Sequence, residues 1–184
     1  MVRNNRYSVP RILFSDSIGS YGFDVPRAGA TARWLIENPL QDPGSDYGVQ
    51  KRLCRQLMRD FVAESPASRS SRFAVIPGVL HTDPSWGVGT TEYALDAIQA
   101  AANDQIYKSS VELNATLPMI MRDDLIDGLY ALTVATTESL REVEGGYSIA
   151  GFSFTAQELF IELTKKNSNF KFSIEETDDL MKNR

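Results

Sequence analysis

One cysteine and one histidine, Cys54 and His81, are all that these 184 residues offer of two common metal ligands. A single thiol forbids an intrachain disulfide, and two such residues are too few for the ordinary cysteine and histidine metal sites, so no metal is expected. Basic charge is also scarce: 19 Lys and Arg stand against 24 Asp and Glu, a net charge of -5. The basic residues form no long block, the electrostatic footprint of a nucleic-acid binder is missing, and nucleic acid is not an expected partner. No apolar run approaches the roughly 18 residues that span a bilayer, and the opening MVRNNRYSVP lacks the apolar core of a secretory signal. No membrane partner is expected, and the cytoplasm is the expected location. Neither a repeat of 20 to 50 residues nor a low-complexity segment occurs, which sets a solenoid aside.

What is present is one domain's worth of chain. At 42% apolar residues it is long enough to bury roughly 70% of its unfolded surface. Short apolar runs alternate with longer helical patterns. Ile12, Leu13 and Phe14 lead into Ser15, Asp16, Ser17, Ile18 and Gly19, the pattern of a buried strand opening into a loop. Tyr21 to Asp46 is rich in Gly, Pro and Asp and reads as a loop of active-site size, with one or two helical turns expected over Ala30 to Ile36. From Tyr47 to Glu64 the spacing predicts a helix with an apolar stripe of Val49, Leu53, Leu57 and Phe61, and Arg52, Arg55 and Arg59 pointing elsewhere. Phe73 to Ile76 reads as a second strand closed by Pro77 and Gly78. Thr90 and Thr91 stand where an N-cap belongs, ahead of Tyr93, Ala94, Ala97, Ile98 and Ala101 at helical spacing. Asp123 and Asp124 introduce another helix, through Leu125, Ile126, Leu129 and Leu132. Tyr147 to Ala150 reads as a strand, Thr155 with Glu158 as a capping box, and Phe170, Phe172 and Ile174 as an alternating strand, with a polar tail after it. This order argues for a parallel α/β sheet, and ligands sit at the carboxyl ends of such strands.

Tyr47 and Lys51 are four residues apart at the start of the predicted helix, hence on one face and one turn from each other. A phenol is a poor base near neutrality, with an ordinary pKa of about 10. A fixed cation and the positive end of a helix dipole favour the phenolate. A tyrosine so placed can take a proton from a hydroxyl while hydride leaves the same carbon, and a serine at a strand end, here Ser17, can hold the substrate oxygen. The competing reading of the same pair is a half-buried aromatic beside a solvated charge.

Read together, ILFSDSIGSYG (12 to 22), DYGVQK (46 to 51), VIPGV (75 to 79), GVGTTEYA (87 to 94) and LPMIMRDD (117 to 124) resemble the later half of an extended short-chain dehydrogenase/reductase. Among these proteins of the NAD-dependent epimerase/dehydratase family the chain looks most like the L-threonine 3-dehydrogenases. The resemblance runs from about residue 11 to residue 174. It implies an α/β fold: the C-terminal half of a Rossmann-like parallel sheet with a small α/β substrate-binding lobe, residues 1–184 forming one unit. It also implies an NAD-dependent oxidoreductase that moves hydride from a hydroxyl-bearing carbon to NAD, with a small amino acid or hydroxy acid as substrate. By this resemblance Tyr47 transfers the proton, Lys51 holds the nicotinamide ribose and tunes Tyr47, and Ser17 binds the reacting oxygen. Ile76, Pro77 and Val79 lie against the nicotinamide end of NAD, and Gly89, Thr90 and Thr91 contact the substrate. The alternatives are a nucleotide-sugar epimerase or dehydratase, or an inactive relative that serves as a dimerisation or interaction module.

Two arginines common in that branch are replaced, one by Val75 and Ile76, the other by Thr116. No G-x-G-x-x-G occurs in the sequence, so the Gly-rich turn that holds a dinucleotide pyrophosphate has no counterpart. The expectation is a chain whose N-terminal nucleotide-binding portion is absent, leaving one sheet edge and part of an apolar face bare. A missing N-terminal half, a partner chain or a homodimer is expected to cover them. Of the remaining residues, His81 reads as a loop histidine, near the substrate mouth if it is functional at all, and Cys54 as a buried small apolar residue. Asp123 and Asp124 suit a helix start and Asp127 faces solvent. Arg52, Arg55 and Arg59 read as a solvated face or a phosphate contact, and Trp34 and Trp86 as lid or packing residues.

Overall fold

The computed structural model describes residues 11–21, 43–64, 70–83, 89–140, 146–149 and 151–174. The expected turns over 30–36, Trp34, Trp86 and the polar tail lie outside these residues. By its internal contacts the chain divides into two compact units, the first holding 1–25, 31–76 and 125–149, the second 26–30, 77–124 and 150–184.

The first unit is built on a three-stranded parallel sheet. Strand β1 (Ile12–Ser17) pairs in parallel with β2 (Ser71–Ile76), from Ile12 opposite Ser71 to Ser17 opposite Ile76, and β2 pairs in parallel with β6 (Tyr147–Ser148). The central strand β2 is covered on both faces, with Arg72, Phe73, Ala74 and Val75 in succession all buried. That is the continuous burial expected of a parallel strand rather than an alternating one. Gly146 enters β6 at φ +83, where any side chain would begin 2.9 Å from the Phe73 carbonyl oxygen; only glycine takes that conformation without strain.

Helix α1 (Asp46–Ala63) connects β1 to β2. Its start is set by Ser45, whose side chain accepts from the Gly48 N–H at 3.2 Å, and by Asp46 in the first turn, both favourable at the positive end of a helix. Of the expected apolar stripe, Phe61 is buried and Val49 half-buried, whereas the middle of the stripe is not. Leu53 and Leu57 are 56% and 65% exposed, Cys54 is exposed, and the buried positions are Gly48, Arg55 and Phe61. Arg55 is neither a solvated charge nor a free phosphate contact, because Asp16 on β1 pairs with it and makes its burial tolerable. The reading of Cys54 as buried falls with the stripe.

Helix α3 (Arg122–Val134) ends without a basic residue in its last turn, yet its terminal carbonyls are satisfied from the sheet. Buried Arg72 donates to the carbonyls of Leu132 and Thr133 at 2.7 Å each and of Ala135 at 2.6 Å. Arg11 adds bonds to Thr133 and Val134 at 3.3 Å each. Two guanidinium groups at the negative end of a helix dipole together close four otherwise orphaned acceptors. Within α3, Leu125 and Leu132 are buried whereas Ile126 is 55% exposed.

Among the described residues the second unit holds two small sheets. In one, β3 (Gly78–Leu80) runs parallel to β5 (Thr116–Met121), and β7 (Phe152–Thr155) pairs antiparallel on the other side of β5. In the other, β4 (Ile106–Ser109) pairs in parallel with β8 (Lys171–Ile174). Helices α2 (Tyr93–Ala102) and α4 (Ala156–Lys166) supply the core. Ala94, Ala97 and Ala101 line the buried face of α2 and join Met119, Ala156 and Phe160 in one apolar cluster. Phe160 meets the rings of Phe172 and Tyr107 at 4.6 and 5.6 Å, within the range of favourable aromatic pairs. The expected Thr155 capping box is present in both of its bonds. The expected N-cap at Thr90 and Thr91 is not: Thr90–Glu92 form a 3-10 turn with Gly89 before it, and the α-helix starts only at Tyr93.

The α/β class with parallel pairing is therefore as the sequence led us to expect. Among the described residues no helix is long and apolar enough to cross a membrane, and no group of three acidic, histidine or cysteine side chains is placed to hold a metal ion.

Candidate active site

At the carboxyl end of β1 the chain turns sharply. Ser17 caps a 3-10 turn (Ile18–Ser20), its Oγ accepting from the Gly19 N–H at 3.1 Å, while the Ser20 hydroxyl donates to the Ser17 carbonyl at 2.7 Å. The Ser17 N–H donates to Asp16 Oδ1 at 2.8 Å. Both the backbone and the hydroxyl oxygen of Ser17 are thus fixed by local bonds.

Two glycines let the helix come up against this turn. A side chain on Gly48 would strike the Gly19 carbonyl oxygen and start 2.5 Å from Pro43 Cβ. The first turn of α1 therefore lies directly on the loop after β1. A side chain on Gly19 would begin 3.3 Å from Tyr47 Cδ1 and Cε1 and 3.5 Å from Ser17 Oγ. The Tyr47 ring and the Ser17 hydroxyl are consequently neighbours across bare glycine, with Tyr47 itself 53% exposed and open to a ligand.

Lys51 stands one turn further along α1. Its Nζ donates to the Ser15 carbonyl at 2.8 Å and lies 5.4 Å from the centroid of the Tyr47 ring and 5.3 Å from that of Phe14. The strand thus anchors the ammonium beside the phenol, within cation–π range. Ser17, Tyr47 and Lys51, which the sequence spreads over 35 positions, meet in the first unit.

The other sequence-predicted site residues are distributed differently. Ile76 ends β2, and Pro77 and Val79 belong to the second unit, Val79 within β3 opposite Ile120. Gly89, Thr90 and Thr91 lie in the second unit, where the Glu92 carboxylate folds back to 3.4 Å from the point at which a Gly89 side chain would start. Thr91 packs on Gly78, its Cβ 2.8 Å from where a side chain there would begin. His81 follows β3 directly, and its Nδ1 is buried without a hydrogen-bond partner among the described residues.

Sequence reasoning missed the buried Asp16, Arg55 and Tyr21. Asp16 is 1% exposed and Arg55 3%, and their side chains form an ion pair. Arg55 also hydrogen-bonds the Tyr21 hydroxyl, and its guanidinium lies 5.4 Å from the Phe73 ring centroid. Burial raises the Tyr21 phenol above its ordinary range, against the opposing pull of Arg55. Little in the sequence signals this pair, because Asp16 stands between Ser15 and Ser17 at the polar end of the β1 run, where an aspartate ordinarily faces water.

No family model matches the chain. An uncharacterized epimerase/dehydratase of Staphylococcus haemolyticus is 28% identical over 163 residues, a match spanning 86% of this chain and 48% of the relative. A GalE-like L-threonine dehydrogenase from Cupriavidus necator, solved in apo form, superposes with a TM-score of 0.77 at 26% identity, over 91% of this chain and 58% of that one. A monomeric L-threonine 3-dehydrogenase from a metagenome gives 0.76 at 26%, over 92% and 53%. The chain is a relative of these proteins. The resemblance carried by the Ser17 strand end, the DYGVQK helix start and the GTTEY and LPM segments is thereby borne out, and the Rossmann-like fold with it. The chain spans about half the length of the curated relatives it matches.

For a nicotinamide dinucleotide, the residues present fit one end. An exposed phenol beside a strand-anchored ammonium offers hydrogen bonds to a ribose diol next to the Ser17 hydroxyl. For the pyrophosphate end, the sequence contains no G-x-G-x-x-G turn.

Proposed function

We propose that this chain carries the proton-transfer half of an NAD-dependent oxidoreductase of the short-chain dehydrogenase/reductase type, acting on the hydroxyl-bearing carbon of L-threonine or a similar small hydroxy or amino acid. The observation that supports it is the meeting of the Ser17 hydroxyl and the Tyr47 ring over Gly19, with Lys51 fixed beside the ring. In this reading Ser17 donates a hydrogen bond to the substrate oxygen, and Tyr47 takes the hydroxyl proton as the carbon is oxidised. Lys51, fixed beside the Tyr47 ring, holds with it the nicotinamide ribose. When bound, NAD supplies the hydride acceptor. Ile76, Pro77 and Val79 are proposed to contact its nicotinamide end, and Gly89, Thr90 and Thr91 the substrate. The names of the curated relatives favour a second reading, epimerase or dehydratase chemistry, for which a nucleotide sugar is the substrate we propose, and which would use the same serine and tyrosine.

The test is NADH formation from NAD and L-threonine, with UDP-sugars as the competing substrates. Tyr47→Phe keeps the ring and removes the proton acceptor, so turnover is expected to fall on the order of 10²–10⁴-fold while the fold is retained. Turnover unchanged in Tyr47→Phe would sink the assignment.

A further inference from the structure

Beneath the Ser17 turn lies a buried charged pair that the proposed chemistry does not use. Asp16 and Arg55 are both almost wholly buried, and each ties one half of the candidate site to the other. Asp16 precedes Ser17 on β1 and divides its carboxylate: Oδ1 accepts the Ser17 N–H at 2.8 Å, and Oδ2 takes the Arg55 guanidinium. Arg55 lies one helical turn beyond Lys51 and two beyond Tyr47, on the inward face of α1. It rests on Phe73 of the central strand at 5.4 Å and bonds the Tyr21 hydroxyl just after the Ser17 turn. The guanidinium therefore binds three segments at once: the end of β1, the loop that follows it, and β2.

A pair buried to this degree is a poor way to gain stability, since well-packed apolar residues of like volume are often as good or better. Its geometric content is different. The carboxylate bonds the backbone of Ser17, and the guanidinium ties α1 to the end of β1, two helical turns from where the Tyr47 ring falls on Gly19. We propose that Asp16 and Arg55 are positioning residues that hold the Ser17 hydroxyl and the Tyr47 ring in register. The inference rests on the functional reading given above, because only there does this register matter for chemistry.

The test uses the full chain and three variants: Arg55→Gln, Arg55→Lys, and the double variant Asp16→Asn with Arg55→Gln. The double variant removes both charges together and leaves no uncompensated ion, so it is the one expected to fold. Far-ultraviolet circular dichroism and thermal melting establish the fold of each. The first readout is nuclear magnetic resonance with ¹⁵N-labelled protein and ring-labelled tyrosine, which needs no turnover. In Arg55→Gln and the double variant, the Tyr47 ring signal, two helical turns from the altered residue, is expected to shift and broaden, and the Ser17 amide to move with it. Arg55→Lys, which keeps the charge, is expected to restore both in part. The second readout is steady-state kinetics with NAD and L-threonine, where kcat is expected to fall on the order of 10–100-fold with KM little changed. A folded double variant whose Tyr47 ring signal and kcat match the parent overturns the proposal. A parent protein without turnover counts against the functional reading alone, and the resonance readout then decides the positioning role.

Discussion

Tyr93 carries its phenol into the apolar core of the second unit, where it is 2% exposed and its hydroxyl has no hydrogen-bond partner among the described residues. Burial, reinforced by Tyr107, pushes its pKa up to about 12. The unfolded chain ionises this group at about 10, so the folded value is the higher one. Stability from keeping it neutral is fully present below pH 10 and is lost as pH rises from there to about 12. Tyr93→Phe is expected to leave urea midpoints at neutral pH unchanged or slightly raised, since it removes an unpaired buried hydroxyl, and to flatten the alkaline fall. A steeper alkaline loss in the variant would contradict this account. Single residues also mark where reading by pattern stops. Ser17, Tyr47 and Lys51 were legible because helical spacing and a strand end are local properties. Arg55, Leu53 and Cys54 were misread because an apolar periodicity presumes that charge faces water, and Asp16, 39 positions away, reverses that presumption for Arg55.

Helix α4 shows an element whose start is written in its own sequence. The Thr155 side chain accepts the Glu158 N–H at 3.1 Å, and the Glu158 carboxylate accepts the Thr155 N–H at 2.7 Å and the Thr155 hydroxyl at 3.0 Å. The backbone bond first, then the hydroxyl, holds the Glu158 carboxyl below its ordinary range. A depressed carboxyl contributes stability that is present above the unfolded pKa and is lost as pH falls through the folded one. Amide exchange in the first turn of α4 is therefore expected to quicken, relative to the rest of the helix, as pH is lowered below the usual carboxylate range. Glu158→Gln should remove that dependence, and Thr155→Ala should cost about 1 kcal/mol at neutral pH. An acid dependence that persists in Glu158→Gln would place its source elsewhere. The elements that escaped the sequence reading are the short strands β3, β4, β5 and β7. The three or four residues of β3, β4 and β7 give too little period to read, and the six-residue β5 carries Pro118 in a central strand, where proline argues against strand formation.

At the scale of the molecule, the two units divide the proposed chemistry unevenly. Ser17, Tyr47 and Lys51 lie together in the first, and the proposed substrate contacts Gly89, Thr90 and Thr91 in the second. The parallel α/β class was legible because strands and helices alternate along the chain. One boundary between the two units falls between Ile76 and Pro77, where the apolar run of β2 closes, and the residues on either side of it pair with different strands. The same uneven distribution governs cofactor binding. In the proposed reading one end of NAD would meet an exposed phenol, a fixed ammonium and a serine hydroxyl, whereas the sequence has no G-x-G-x-x-G turn to take the pyrophosphate. Affinity should then reside almost wholly in the nicotinamide ribose. By isothermal titration, NAD and nicotinamide mononucleotide are expected to bind within about tenfold of each other, a difference of about 1.4 kcal/mol or less, and AMP not to compete. Tyr47→Phe and Lys51→Ala should weaken both ligands alike. Binding of NAD a hundredfold or more tighter than the mononucleotide would mean that these 184 residues hold the adenosine diphosphate half through contacts other than a Gly-rich turn.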